Sequence, residues 1–291
     1  MSELRYDTIS FLSDYGLDDE FVGVVKSVVR SIAPRVAVVD ITHAVAPHDV
    51  RGGGLALARA SSYLVPGVVL AIVDPGVGTA RRAIAVEVGD GASVLFGPDN
   101  GVLAPTVALC GGATAAYELT NVEYHLDAPG ATFAGRDVFA PAAAHLCNGV
   151  PLHDLGTPID VHSLTPGLMA VSRVEGDAII AEVLWVDRFG NAQLNVDADD
   201  VAALGPRLRI RHDDQVRSVR RARTYGDLGP GEVGAVVDSY GLVSLCLDRR
   251  SASVELGIAV GDQVRLERSE DDVSVPVRLT RRGGTSEGSI T

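Results

Sequence analysis

Lysine is nearly absent: Lys26 stands alone, and, histidine aside, every other basic side chain is arginine. Basic charge of either kind is also short, with 25 Lys and Arg against 38 Asp and Glu and a net charge of −13. Such a surface repels phosphate backbones and anionic lipid, which weighs against a nucleic acid or a membrane as partner. A cationic or zwitterionic small molecule suits it better. Cysteine is limited to Cys110, Cys147 and Cys246, widely spaced and without a CxxC pair. Neither a disulfide framework nor a zinc ribbon is suggested, and reduced thiols in the cytoplasm are expected. The seven histidines form no HxH or HExxH pattern, so no metal site is expected. A Walker loop is missing too, which weighs against nucleoside triphosphates. The longest apolar stretch, "YLVPGVVLAIV", is broken by Pro66 and Gly67 and is too short to span a bilayer. The opening "MSELRYDTIS" has no apolar h-region, so no secretory signal is expected. Aromatic residues make up only 5% against 46% hydrophobic, which implies an aliphatic core.

At 291 residues the chain exceeds the usual size of one core, and its two halves are patterned differently. In the first half "TISFLS", a helical stretch from about Glu20 to Ile32, "VAVVDIT", "HDVRGGGLALARASSYL" and "VVLAIV" alternate strand with helix. This alternation predicts an α/β class, with an N-terminal Rossmann-like domain around a central, mostly parallel sheet. "AIAVEV" and "SVLFG" follow with no helix between them, a local antiparallel excursion. "GRDVFAPAAAHLCNG" reads as a helix closed by Asn148 and Gly149. Pro, Gly, His and Asp then cluster from Pro151 to Pro166, the composition of a linker.

Beyond it "AIIAEVLWVDRF", "LRIRHDD", "QVRSVRRART", "GAVVDSYGLVSLCL" and "DQVRLER" are strand-like runs separated by turn signals. They predict a smaller C-terminal β-barrel, with a sandwich as the alternative. The expected domains are 1–165 and 166–282, with a polar, glycine-rich disordered tail over 283–291.

Open α/β sheets bind ligands beyond the carboxyl ends of their strands. Three runs end there in acids: Asp14 in "SDYGLDDEF", Asp40 in "DITHAV", and Asp74 in "VDPGVGTARR". Asp40 is equally well explained as a cap or turn residue. Asp14 and Asp74, on adjacent loops, point more strongly to a ligand. A plain connection after Asp74 needs a turn, but it does not need the guanidiniums of Arg81 and Arg82. "GPDNGVL" reads as a structural turn, and Asp137 suits the start of a helix dipole. "WVDRFGNAQLN" sets Asp187, Phe189 and Asn191 at a strand end. An Asn amide can give and take hydrogen bonds with a purine edge, and a β-turn accounts for it as well.

Taken in order, "SDYGLDDEFVG", "DITHAV", "VDPGVGTARR", "GPDNGVL", "TFAGRDVFAPAAAHL", "DRFGN" and "SYG" resemble the S-adenosyl-L-methionine (SAM) hydroxide adenosyltransferases, relatives of the SAM-dependent fluorinase and chlorinase. No single motif would suffice, but the collinear set runs to about Arg268. The resemblance implies an N-terminal α/β domain joined to a β-barrel, in a homotrimer whose sites lie between subunits. It implies that Asp14 holds the ribose diol and that Asp19 and Asp187 face the methionine ammonium. Asn191 would read the adenine edge, Phe133 and Phe189 would form apolar walls, and Ser251 would meet the methionine carboxylate. Asp74 and Arg81 match two of three polar residues placed around an attacking water, and the acid at 74 favours water over halide.

The third such residue, a histidine, is replaced here by Ala134. The alanine is either the natural residue or a change of the kind that traps substrate, and it predicts reduced turnover. His125 lies near in sequence, with nothing there to move the role to it. The reaction so implied is SAM plus water giving adenosine and L-methionine, with SAM as substrate and no cofactor. Two alternatives stand beside it: a halide-using adenosyltransferase, and a SAM- or adenosine-binding protein with little turnover.

Overall fold

Strand and helix alternate through the first half as β1 (Thr8–Ser13), α1 (Phe21–Ile32), β2 (Ala37–Thr42), α2 (Val50–Ser61) and β3 (Val68–Ile72). β4 (Ala83–Val88), β5 (Ser93–Pro98), α3 (Ala104–Leu109), β6 (Ala113–Glu118), α4 (Ala140–Cys147) and β7 (Thr157–Pro158) complete it. The computed structural model describes residues 4–168 and 170–269, in two compact units divided between Ala170 and Val171. The expected tail over 283–291, and the last part of the expected second domain from 270, lie outside the described residues.

Among the described residues, seven strands form the N-terminal sheet in the order β2-β1-β3-β5-β4-β6-β7. The neighbours from β2 to β5 are parallel, and β4 turns antiparallel to both β5 and β6. β3 is buried along its whole length because each face carries apolar side chains toward a layer of helices. Val68, Leu70 and Ile72 pack in the cluster with Val25 and Val29 of α1 and Ala143 of α4. Val69, Ala71 and Val73 pack in the cluster with Leu57 of α2 and Leu103. The glycines inside α2 have a packing reason: a Cβ on Gly53 would come within 2.8 Å of the Val73 side chain. They let the helix lie close over the end of β3.

Two expectations need correction. The helix read from Gly135 opens as a π-helical turn, Gly135–Phe139, before α4 begins. A π-turn cannot be told from an α-turn by residue type, and such turns recur at functional sites. The Pro151–Pro166 stretch is no free linker: β7 pairs with β6, Arg82 donates to the Ser163 carbonyl, and Thr165 donates to Asp99. Turn-forming composition specifies bends, and only tertiary hydrogen bonds decide whether those bends are tied down.

The second unit contains β8 (Arg173–Glu175), β9 (Ala178–Val186), β10 (Ala192–Asp197), α5 (Ala198–Ala202), β11 (Arg207–His212) and β12 (Gln215–Arg221). β13 (Val233–Val237), β14 (Leu242–Cys246), α6 (Ala252–Leu256) and β15 (Gln263–Arg268) follow. The strand order is β10-β14-β13-β12-β11-β15-β9-β8, and β9 also pairs with β10. That last pairing closes a seven-strand barrel with β8 on the outer edge of β9, which decides between barrel and sandwich. Its interior is aliphatic, from residues such as Val183, Leu194, Leu208, Val219, Leu245 and Leu266.

Candidate active site

The β3–β4 loop explains its own charges. Arg81 donates through Nε to both oxygens of Asp74, at 2.9 and 3.0 Å, and through a terminal nitrogen to Oδ2. Both side chains are largely withdrawn from solvent, 6% exposed for Asp74 and 15% for Arg81. A paired, forked geometry of this kind fixes both groups in direction as well as charge. Gly78 takes φ +76°, which lets the chain double back between them. The second arginine has a separate, structural partner: Arg82 binds Asp99, whose other oxygen accepts from Thr165 N–H at 2.8 Å. Asn100 donates to the Val73 carbonyl at 2.8 Å. The "GPDNGVL" turn therefore steadies the backbone just ahead of Asp74, which agrees with its structural reading.

Tyr15, which sequence reasoning passed over, lies at the centre of the unit's polar residues. Its ring meets Phe11, Phe21 and Phe133 at centroid distances of 6.4, 5.6 and 5.8 Å. Its hydroxyl sits so close over Gly135 that a Cβ there would overlap it. Burial pushes the Tyr15 hydroxyl far above its ordinary value, the carboxylates of Asp14 and Asp74 push it further, and Arg81 pulls it back. Tyr15 thus stays a neutral hydrogen-bonding group within the field of Asp14, Asp74 and Arg81. The tyrosine stood inside "SDYG", but nothing in its spacing marked it out; only burial and neighbours do.

Phe133 packs edge-on to Phe21 at 5.1 Å and carries the Arg136 guanidinium over its face at 5.1 Å. Ala134 lines a cavity of about 760 Å³ together with Gly78, Arg81, His125 and Asp137. Asp137 is buried and is held by Arg136 at 2.6 and 3.1 Å. The Nε2 atom of His125 is buried with no hydrogen-bond partner among the described residues, and burial lowers this imidazole's proton affinity.

Asp14 follows β1, and its Oδ2 accepts from the His48 N–H at 2.9 Å. Asp14, Asp74, Arg81, Phe133 and Ala134 are therefore neighbours in one unit. Asp19 is exposed in the loop before α1. Asp40 is no idle turn residue: Lys26 lies 2.5 Å from one of its oxygens and His43 Nε2 3.1 Å from the other. Partial burial raises its proton affinity, but the hydrogen bonds from Lys26 and His43 outweigh that and hold the carboxyl below its usual range.

In the barrel unit, Asp187 organises the turn after β9. Its Oδ1 accepts from Phe189 N–H at 2.8 Å and Asn191 N–H at 2.9 Å, and its Oδ2 accepts from the Asn191 amide at 2.8 Å. Ser251 caps α6 by accepting from Val254 N–H at 3.1 Å. Gly190, at φ +83°, lies against Ser251 where any Cβ would overlap it, and its carbonyl accepts from Ser253 N–H at 3.0 Å. Asp187, Phe189, Asn191 and Ser251 thus form one cluster, with Phe189 78% exposed. The turn reading of Asn191 holds, since both its backbone N–H and its side-chain amide are tied to Asp187. Among the described residues no group of three or more His, Cys, Asp or Glu is placed to hold a metal ion. Among them, too, no helix is long and apolar enough to cross a membrane.

Two family models match this chain, the SAM hydroxide adenosyltransferase N-terminal domain over residues 9–156 and its C-terminal domain over residues 181–265. The chain belongs to the SAM hydroxide adenosyltransferase family. An (R)-S-adenosyl-L-methionine hydrolase of Salinispora tropica is 45% identical over 258 residues, spanning 89% of this chain and 97% of that one. A fluorinase of Actinopolyspora mzabensis is 29% identical over 293 residues, spanning 90% and 97%. The crystal structure of an uncharacterized conserved protein from Thermotoga maritima matches this chain with a TM-score of 0.83 at 35% identity, covering 89% of this chain and all of that one. The two family domains fall on the two units of the structure, the α/β unit and the barrel.

Proposed function

We propose that this chain hydrolyses S-adenosyl-L-methionine to adenosine and L-methionine, taking the (R) sulfonium form that its hydrolase relatives are named for. The observation that carries the reading is the forked Asp74–Arg81 pair, largely buried at the end of a parallel strand and beside the Tyr15–Phe133 aromatic cluster. In this reading Asp14 accepts from both ribose hydroxyls, while Asp19 and Asp187 face the methionine ammonium. Asn191 meets the adenine edge, Phe133 and Phe189 are apolar walls, and Ser251 meets the methionine carboxylate.

Water attacks C5′ in line with the departing sulfur. The C5′–S bond breaks, methionine leaves as a neutral thioether, and the proton from water is released. The sulfonium is already a good leaving group, so the reaction needs no cofactor and no acid on sulfur. Hydroxide and sulfonium carry opposite charges that cancel as the bond forms, so a dry aromatic wall favours the transition state over the separated charges. Orientation supplies the rest. Asp74 Oδ1 accepts a single hydrogen bond from Arg81 and keeps a lone pair, so Asp74 can orient the water or take its proton. Arg81 stabilises the developing hydroxide. Ala134 contributes neither hydrogen bond nor proton, which makes turnover slow. The ligand residues are divided between two units, which supports sites shared between subunits of a homotrimer, and the cysteine usage fits the cytoplasm.

The test is incubation of the purified chain with separated (R)- and (S)-SAM, with and without chloride, followed by chromatography of the nucleosides. Adenosine from the (R) form in both conditions is the expected result. A chlorinated nucleoside would make it a halide adenosyltransferase, and tight SAM binding with no product would make it a binding protein.

A further inference from the structure

The "DITHAV" segment has a job that the proposed chemistry leaves unused. His43 is buried, 4% exposed, between two side chains. Its Nε2 lies 3.1 Å from Asp40 Oδ1, and its Nδ1 lies 2.7 Å from Ser13 Oγ. A carboxylate only accepts, so Nε2 carries the one hydrogen of the neutral ring and its Nδ1 is bare. The Ser13 hydroxyl must then donate to Nδ1. Its lone pairs face the Tyr15 N–H, which donates to Ser13 Oγ at 3.3 Å. The His43 carbonyl accepts from Gly16 N–H at 2.8 Å, and Lys26 closes the far end of the chain on Asp40. Phe11 holds the imidazole edge-on at 4.6 Å. Serine, histidine and aspartate in a row suggest a nucleophile, but Ser13 is fully buried and bonds to the ring nitrogen opposite to the one a nucleophilic triad uses.

What the chain does hold is the backbone on both sides of Asp14. Ser13 precedes it, and Tyr15 and Gly16 follow it; each is hydrogen-bonded into the network. We propose that His43 is a positioning residue: through Ser13 and its own carbonyl it fixes residues 13–16, so that Asp14 presents its carboxylate in one orientation to a nucleoside diol. This rests on the role proposed above for Asp14. The two ring nitrogens act differently, with Nδ1 setting the loop and Nε2 selecting the tautomer.

The experiment measures adenosine affinity by calorimetry and KM and kcat for SAM on the full chain. The variants are His43→Asn, His43→Gln, Asp40→Ala, Asp14→Ala and the double variant Asp14→Ala with His43→Gln. Asparagine places an acceptor where Nδ1 was, whereas glutamine reaches the Nε2 position and leaves the Ser13 hydroxyl hydrogen without its acceptor. His43→Asn is expected to bind adenosine within about threefold of the parent, and His43→Gln about tenfold more weakly, with KM rising more than kcat falls. A mere packing role gives the opposite order, because glutamine is nearer imidazole in volume. On the Asp14→Ala background His43→Gln is expected to add no further loss, whereas an additive loss overturns the proposal. Asp40→Ala, at the exposed end of the chain, is expected to weaken adenosine in the same direction by about two- to fivefold without risk to folding. Equal affinities for the Asn and Gln variants also overturn it. If the parent itself binds no adenosine, the function proposed above fails instead. Amide exchange of residues 14–17 then decides on its own, expected faster in His43→Gln than in His43→Asn and refuting the proposal if the two match.

Discussion

Restoring an imidazole at position 134 is the most informative single change. Ala134 adopts φ −58° and ψ −26°, ordinary right-handed helical values that histidine takes without strain. It opens on the cavity of about 760 Å³ that Arg81 and Asp137 also line, so the ring has room without repacking the core. Stability should therefore shift by no more than about 0.5 kcal/mol. The ring would enter next to a guanidinium whose fork is already engaged by Asp74, which leaves the imidazole free to share a proton with water. A positioned acid–base group is worth about 10²–10⁴ in rate, or roughly 3–5 kcal/mol of barrier. Because the residues assigned to ribose, adenine and methionine are different ones, SAM affinity should stay within about threefold, below 1 kcal/mol. The assay is single-turnover adenosine formation by Ala134→His against the parent chain, with SAM affinity of both measured by calorimetry. Equal rates would refute the reasoning, and Asp74 with Arg81 would then carry water activation alone.

Asp14→Ala removes a carboxylate assigned two charge-assisted hydrogen bonds and should weaken adenosine by about 2–3 kcal/mol; unchanged affinity by calorimetry excludes the ribose role. Gly135→Ala drives a methyl into the Tyr15 hydroxyl, which the surrounding phenylalanines keep from moving aside, and should cost about 1–3 kcal/mol in urea denaturation. An unaltered midpoint would show that Tyr15 is not seated there. Burial pushes the Cys147 and Cys246 thiols up to about 12, while Cys110 is exposed, so a thiol reagent at pH 8 should titrate one group before unfolding and three after. Since both folded values lie above the unfolded value of 9.0, their contribution to stability is complete below pH 9 and is lost as the pH rises toward 12. The melting temperature of Cys246→Ala should accordingly fall less steeply over that range than the parent's. Light scattering should give the mass of a trimer, and a fully active monomer would end the shared-site reading.

Much of this protein was legible in the order of its residues. The apolar runs with their intervening helical stretches define β1 to β5 almost residue for residue. β1, β3, β4 and β5 are largely buried and such strands must be mostly apolar and short, while β2, exposed at the sheet edge, still reads as a β-branched run. Acids at strand ends pointed to Asp14 and Asp74, since a parallel sheet gathers successive loops at one end. The charged partners were half legible. Two adjacent arginines after a glycine loop demand partners, but which is paired with which is decided by the fold: Arg81 turns to Asp74, Arg82 to Asp99.

Local pattern fails where the deciding contact is distant in sequence. Asp40 stayed open between a ligand acid and a cap or turn residue because its partner Lys26 is on α1, and His43 reaches back 30 residues to Ser13. Tyr15 carried no signal at all, because burial among Phe11, Phe21 and Phe133 comes from three separate elements. The barrel had the same limit: strand-like runs fit a sandwich or a barrel equally, and the β9–β10 pairing alone chose between them. Sequence by itself determined the strands and helices of the first sheet layers, a likeness to one family and the types of side chain at the strand ends, since these follow from local propensity, periodicity and order along the chain. Closure of the barrel, the division of labour between Arg81 and Arg82, and the network behind Asp14 belong to the tertiary structure alone. Each depends on which distant groups meet once water is excluded, and a hydrogen bond between residues far apart in the chain leaves no period in the sequence to read.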